Sequence, residues 1–155
     1  MKKIRYFIFF LITFYGAAQQ HSFTIEWNGS KVLSTSNSSI ELPHFNSTNF
    51  NFSHEEGVSF VGQWKMNSLL NENSAELTNI VFENISVSDL KELNIRTIPS
   101  KITYTVSNSI SRNQKYGFVK VIPIINDNGI YKRIKSFTVK YNGKSQFSLK
   151  NSNLI

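Results

Sequence analysis

The sequence contains no cysteine. A thiol nucleophile, a cysteine-based zinc site, an iron–sulfur cluster and a disulfide framework are therefore excluded, and no residue can carry the lipid of a bacterial lipoprotein. A chain of 155 residues is still long enough to bury a single hydrophobic core without covalent cross-links. We therefore expect apolar packing to stabilise the fold.

Alanine is also scarce, because Ala75 is the only one after residue 18. Segments so poor in the best helix-forming residue do not favour long helices. Phenylalanine occurs 13 times, tyrosine 6 times and tryptophan twice, among many β-branched residues, and such side chains fit the pleated surface of a sheet. The alternation of apolar and polar residues recurs in about eight short segments. The sequence therefore predicts an all-β fold class with a single β-sandwich or jelly-roll-like domain.

The first eighteen residues follow the pattern of a secretory signal peptide. Lys2, Lys3 and Arg5 form a short positive region, an apolar run follows over residues 6–15, and small residues occupy positions 16–18. The apolar run is about half as long as the roughly 20 residues that span a bilayer as a helix. We therefore expect export through the inner membrane to the periplasm, outer membrane or cell surface, and no membrane span in the mature chain. The predicted organisation is a cleaved signal peptide over 1–18, a β-sandwich domain over 19–150 and the start of a linker over 151–155.

Two turn signals predict hairpins. Asn28-Gly29 follows an alternating segment, 23–27, and would reverse the chain into a return strand over 31–34. Residues 126–129 tolerate a positive φ and would join a long apolar strand over 115–125 to its partner over 130–141.

The remaining local predictions concern segments that interrupt the strands. The segment from Asn46 to Gly57, which is rich in asparagine and serine, is predicted to be a loop. One helical turn is predicted over 88–93, with Ser88 as its N-cap. The densest basic cluster, from Lys132 to Lys135, is predicted to be a solvated sheet edge, since basic side chains protect edges from aggregation.

The charge balance does not point to nucleic acid. The chain has 17 basic and 10 acidic residues, but three of the basic residues lie in the predicted signal peptide. The mature chain would therefore carry 14 basic residues against 10 acidic ones, a net charge of +4. So mild an excess predicts neither a nucleic-acid partner nor a strongly basic membrane-binding surface.

The sequence carries no recognisable catalytic, cofactor or metal site. The three histidines, His21, His44 and His54, lie in or beside loops, and none belongs to a zinc-binding helix. The sequence has neither a Gly-x-Ser-x-Gly nucleophile elbow nor a glycine-rich phosphate loop. We therefore predict that this chain is not an enzyme and that it needs no cofactor.

Aromatic residues recur at every second position of several predicted strands, which allows two interpretations. They could form a platform that stacks on carbohydrate, or they could fill the core of a sandwich, and period-two spacing favours the core. The residues concerned are Trp27, Trp64, Tyr104, Tyr116, Phe118, Tyr131, Phe137 and Tyr141.

Three stretches resemble the N-terminal region of the PorU family of type IX secretion system sortases, which are gingipain-like cell-surface cysteine proteases. They are residues 19–27 (QQHSFTIEW), 109–124 (SISRNQKYGFVKVIPI) and 129–141 (GIYKRIKSFTVKY). In that family the last two stretches close the domain before the protease domain begins. The resemblance therefore implies a non-catalytic, propeptide-like leading domain, to which no catalytic residue can be carried over. The chain would then be a leading domain, a fragment or the product of a truncated gene.

The resemblance also implies a partner. A propeptide-like domain would pack with or support a gingipain-like protease domain that is absent from this chain, or would contact other surface secretion components. The alternative is a free-standing secreted β-sandwich that binds a polysaccharide or a surface protein. For a protein partner, the predicted contact residues are Phe45, Phe50 and Phe52, because no clear strand alternation accounts for them. Their alternative role is to cap one open end of the core.

Overall fold

Ten β-strands form most of the part of the chain that the computed structural model describes, residues 18–34 and 38–144. The predicted signal peptide lies outside the described residues except for Ala18, and the predicted linker lies outside them entirely. Three short 3₁₀ turns, Glu72–Ser74, Val87–Leu90 and Ile95–Thr97, interrupt the strands. The strands are β1 (Gln19–Thr24), β2 (Trp27–Ser34), β3 (Ser39–Phe45), β4 (Phe50–Ser53), β5 (Gly57–Met66), β6 (Glu76–Asn84), β7 (Tyr104–Ser111), β8 (Gln114–Val121), β9 (Ile124–Asp127) and β10 (Ile130–Tyr141).

The strands form two four-stranded sheets and a two-stranded ribbon, and all their pairings are antiparallel. The first sheet has the order β1-β10-β6, with β9 also paired to β10, and the second sheet has the order β4-β5-β8-β7. Strands β2 and β3 form the ribbon. Neither sheet closes into a barrel, and this all-β sandwich confirms the predicted fold class.

The main core lies where the two sheets face each other. Phe60 on β5 meets Phe137 on β10 edge to face, with 5.6 Å between ring centroids. Within the second sheet, the Trp64 indole ring lies over its partner residue Gly117 on β8, and a Cβ atom on Gly117 would lie 2.3 Å from that ring. The buried residues of this core are Ile25, Phe45, Phe60, Trp64, Met66, Leu70, Val119, Val121, Ile134, Phe137, Val139 and Tyr141.

A second, smaller core lies at the end of the sandwich where β5 begins. Its buried residues come from β3, β5, β9 and the segment around the second 3₁₀ turn, and they are Leu42, Val58, Leu90, Leu93 and Ile124. Phe50 and Trp27 pack against both cores and so join them.

The hairpin predicted at Asn28-Gly29 is wrong. Gly29 has φ +78° within β2, and the pairing register shifts between Trp27 and Ser30, so these residues form a bulge. Strand β1 pairs with β10, whereas β2 pairs with β3. A glycine at positive φ serves a bulge as well as a turn, and the sequence signal for the two is the same.

The hairpin predicted around residues 126–129 is correct at its tip and wrong along most of its length. Strand β9 pairs with the start of β10 across Asn128 and Gly129, whose φ angles are +52° and +91°. Strand β8 pairs instead with β5 and β7 in the second sheet. The chain crosses between the sheets at Pro123, which lacks the N–H group that a continuous ladder requires.

Three further local predictions need correction. The predicted loop of residues 46–57 contains strand β4, which pairs with β5. The N-cap before the second 3₁₀ turn is Ser86, which forms a capping box with Asp89, and not Ser88. The basic cluster that begins at Lys132 lies on β10, which runs between β1 and β6, and not on a sheet edge.

Candidate functional site

A groove opens at the end of the sandwich that holds the smaller core. It consists of two adjoining cavities, of about 100 and 560 Å³, which share Ile40, Phe52, His54 and Glu92 in their walls. We call it the end groove. The other lining residues are Leu33, Ser38, Ser39, Ser53, Gly57, Leu93, Asn94 and Thr97.

Strand β4 and the turn that follows it form one wall of the end groove. Phe52 pairs with Val58 of β5 and packs against the smaller core, which leaves its side chain half-buried. The ring of His54, in the turn, meets the Phe52 ring edge to face at 5.2 Å. Gly57 ends this turn at φ +76°, and a Cβ atom there would lie 3.0 Å from Leu93 Cδ1. The close approach at Gly57 allows the segment of residues 92–97 to form the adjacent wall.

Glu92 is fixed to the edge of β3 by two hydrogen bonds. Its backbone N–H donates to the carbonyl oxygen of Glu41 at 3.0 Å, and its Oε2 atom accepts the backbone N–H of Glu41. Its Oε1 atom makes no hydrogen bond or ion pair with the described residues. The carboxylate is therefore held in place while one of its oxygens stays available.

The end groove combines an apolar surface with a few polar groups. Ile40, Phe52 and Leu33 supply the apolar part and all pack against the smaller core. His54 and Glu92 supply ionisable groups at the same surface. Ligand sites in proteins have this composition and cover about 300–1,000 Å³, a range that includes the larger of the two cavities.

The three predicted contact residues are in different environments. Phe45 is fully buried, at 0% exposure, so it offers no surface to a partner in this structure. Phe50 is half-buried, and its ring lies 5.2 Å from that of Phe45, between the two cores. Phe52 alone lines the end groove. Phe45 and Phe50 therefore take part in core packing, and contact of the three residues with a partner stays a prediction.

Sequence reasoning missed Ile40 and Glu92, which line both cavities of the groove together with Phe52. Both lie far from Phe52 along the chain, and only tertiary contacts bring them near it. One local signal was present for Glu92. Leu90 and Leu93 are spaced three apart, which places both on one side of a helical turn and predicts that this segment packs on a core.

The three histidines are separated from one another. His21 on β1 stacks on Trp64, with 5.5 Å between ring centroids, and burial lowers its pKa. His44 on β3 is buried beside Phe50, and its pKa is lowered by burial and secondarily by the charge of Lys31. Its Nε2 atom is buried without a hydrogen bond. Within residues 18–34 and 38–144, no three histidine, aspartate or glutamate side chains are grouped in a way that could hold a metal ion.

Acidic neighbours compensate the basic side chains on β10. Lys132 pairs with Asp127 at 2.7 Å, and Lys140 pairs with Glu76 at 3.3 Å. The basic residues between them, Arg133 and Lys135, both pair with Glu83. Three carboxylates therefore lie beside these four basic side chains, and Glu83 is shared by Arg133 and Lys135.

The aromatic residues divide between the core and the outer surface. Trp64, Phe137 and Tyr141 are buried in the main core, as the period-two spacing predicts. Tyr116 and Phe118 lie on the outer face of the second sheet, because the residues that alternate with them on β8 are buried in the core. They are half-buried, and the outer face around them carries mostly serine, threonine, lysine and glutamine side chains, which the pairing register places opposite or beside them.

No protein-family model matches the chain, and no curated protein matches it significantly. A chain from the solved structure described as "Complex of Porphyromonas gingivalis RgpB pro- and mature domains" is similar to it, with 12% sequence identity and a TM-score of 0.49. The similarity covers 86% of this chain and 83% of that chain. Likeness at this level does not establish a shared family. Over the described residues, no helix is long and apolar enough to cross a membrane.

Proposed function

We propose that this chain is a non-catalytic, propeptide-like β domain that packs against a gingipain-like cysteine protease domain of a type IX secretion system sortase. The observation that carries the proposal is the sequence resemblance of residues 19–27, 109–124 and 129–141 to the leading region of that family. The protease domain supplies the catalytic residues of such a sortase, and this chain supplies a folded surface.

The positions of the three stretches support the proposal. They contain the whole of β1, β8 and β10. Strands β8 and β10 are inner strands of the two facing sheets, and they contribute Val119, Val121, Phe137 and Val139 to the main core. The resemblance therefore covers residues that determine the sandwich itself.

We place the contact with the protease domain at the end groove. Interfaces bury apolar side chains at their centre and keep polar groups at their rim. Phe52 and Ile40 supply the apolar centre, and the serines of the groove supply a rim.

Binding to a protease domain tests the proposal. The chain from Gln19 to Ile155 is titrated by calorimetry into the purified protease domain of a full-length sortase of this family. We expect saturable binding, weakened at least tenfold by Phe52→Ser and unchanged by Val81→Ser, whose side chain is 51% exposed away from the groove. No binding at high micromolar concentration would contradict the proposal.

Export is part of the proposed function. Strand β1 begins at Gln19, which pairs with Tyr141, so cleavage after Ala18 would leave the whole strand intact. N-terminal mass analysis of the exported product checks this step. We expect a chain that starts at Gln19, with or without loss of ammonia to form pyroglutamate, whereas a retained Met1 would contradict it.

A free-standing polysaccharide-binding domain is the second candidate. The observation that favours it is the outer-face position of Tyr116 and Phe118, since sugar rings stack on exposed aromatic rings and bond to nearby hydroxyl groups. Under this alternative the chain binds isolated bacterial surface polysaccharide, and Tyr116→Ser combined with Phe118→Ser abolishes that binding. Polysaccharide binding without any binding to the protease domain would favour this candidate over the first.

A further inference from the structure

We propose that the end groove receives a lysine or arginine side chain of the partner. In this arrangement the aliphatic stem lies against Phe52 and Ile40, and the cationic group reaches Glu92. The identification of the partner as a protease domain rests on the proposed function, but the chemistry of the groove does not.

The charge of the groove favours a cation. Among the described residues that line it, Glu92 and His54 are the ionisable ones, and of these two Glu92 can carry a negative charge. The mature chain as a whole is net basic, and Glu92 supplies a carboxylate to the described lining of the groove. A basic side chain is therefore complementary to the groove, whereas an acidic or phosphorylated one is repelled by Glu92.

The position of the Glu92 carboxylate is fixed before a ligand arrives. The backbone N–H of Glu41 occupies Oε2 and leaves Oε1 without a partner among the described residues. A carboxylate held in this way can accept a charge-assisted hydrogen bond from an ammonium or guanidinium group without further ordering. A wholly apolar occupant would cover the carboxylate and leave its Oε1 atom without a partner, which disfavours such a ligand.

The walls of the groove fit the rest of a long basic side chain. Lysine and arginine carry three or four methylene groups that pack on apolar surface while the charged end stays polar. Phe52 and Ile40 line both cavities together with Glu92, so the stem and the charged end can be accommodated at one site. The Phe52 ring also attracts a nearby cation through its quadrupole.

Peptides that differ only in charge test this inference. Acetyl-Gly-Gly-Arg-Gly-Gly-amide and the same peptide with citrulline in place of arginine are titrated into the ¹⁵N-labelled chain from Gln19 to Ile155. We expect the arginine peptide to shift the amide signals of residues 52–54 and 92–94, and to bind at least fivefold more tightly than the citrulline peptide. Equal binding of the two peptides, or shifts confined to other residues, would overturn the inference.

A matched pair of variants locates the charge that matters. Glu92→Gln keeps an oxygen that can accept the Glu41 N–H, so the fold is retained while the negative charge is lost. We expect it to remove the preference for arginine over citrulline. Glu55→Gln removes an exposed carboxylate from the same turn as His54 but outside the groove lining, and we expect it to leave the preference unchanged. If Glu92→Gln still binds the arginine peptide more tightly than the citrulline peptide, Glu92 does not supply the charge that the ligand recognises, and the inference is wrong.

The same variants separate this inference from the proposed function. If the protease domain binds the original chain and Glu92→Gln equally, the inference fails and the proposed function stands. If the arginine peptide binds through Glu92 but the protease domain does not bind at all, the groove chemistry stands and the proposed partner is wrong.

Discussion

The indole nitrogen of Trp64 donates a hydrogen bond to the hydroxyl oxygen of Tyr141 at 3.0 Å. Trp64 lies on β5 of the second sheet and Tyr141 on β10 of the first, and both are buried at 5% exposure. This bond therefore joins the two sheets through the core, at the end of the sandwich opposite the end groove.

Tyr141→Phe should lower the free energy of unfolding by about 1–3 kcal/mol, because it leaves the buried indole N–H of Trp64 unsatisfied. Urea unfolding followed by tryptophan fluorescence measures the change. Tyr131→Phe is the control, since the hydroxyl of Tyr131 makes no hydrogen bond within the described part of the chain, and we expect it to change stability little. Equal effects of the two substitutions would show that the Trp64–Tyr141 bond has no special role.

Replacing Gly117 or Gly129 by alanine should lower the free energy of unfolding, by different amounts and for different physical reasons. Gly117→Ala places a Cβ atom against the Trp64 ring in a packed core, and we expect a loss of about 3 kcal/mol. Gly129→Ala meets nothing within 4 Å, but its φ of +91° strains any other residue and should cost about 1 kcal/mol. Urea unfolding ranks the two, and a larger loss at Gly129 would contradict the packing described beside Trp64.

The tip of the β7–β8 hairpin offers a stabilising substitution. Arg112 and Asn113 have φ angles of +47° and +66°, as a two-residue turn with positive φ at both positions requires. Asparagine tolerates this conformation better than arginine, so Arg112→Asn should raise stability by about 0.5 kcal/mol. Arg112→Lys keeps the strained backbone and should leave stability unchanged. A thermal-unfolding midpoint that rises equally with both substitutions would point to charge and not to backbone strain.

Stability should fall in mild acid because burial lowers the pKa of two histidines, the buried His44 and the half-buried His21. Burial lowers the pKa of His21 and His44 below the ordinary value of 6.5, so the folded chain favours the neutral form of both histidines more than the unfolded chain does. The unfolded chain binds a proton more readily, so this stabilisation is complete above pH 6.5 and is lost as the pH falls through the folded-state pKa values. Carboxyl groups with lowered pKa, such as that of Asp89, titrate below this range.

Urea midpoints at pH 7.5 and pH 5.5 measure this loss. We expect the loss to shrink in His44→Gln, which removes one of the two titrating groups, and to persist in His54→Gln. A loss that is unchanged in His44→Gln would show that this histidine does not contribute to it.

The sequence predicted strands well where one face of a strand meets the core. Alternation identified residues 58–66, which form β5, because each second side chain is buried against the first sheet. The all-β class followed from composition, and the core positions of Trp64 and Phe137 followed from the same period of two. These features depend on local pattern, which one sequence contains.

The sequence could not predict which strands pair. The dipeptide Asn28-Gly29 is typical of a hairpin turn, which would pair β1 with the strand that follows it. Strand β1 pairs instead with β10, more than a hundred residues further along the chain. Residues 115–125 are mostly apolar apart from two lysines, and only Pro123 indicates that the segment crosses between the sheets. The end groove was missed for a related reason, since Ile40, Phe52 and Glu92 are brought together by tertiary contacts and not by a motif.

Hydrogen exchange of the complex tests the central claim most directly. The chain from Gln19 to Ile155 is exchanged alone and with the protease domain of a full-length sortase, and peptide-level protection is compared. The account predicts added protection over residues 38–42, 50–57 and 92–97, with the outer face of β8 unaffected. Absence of added protection anywhere, or protection confined to β7 and β8, would contradict a propeptide-like contact through the end groove.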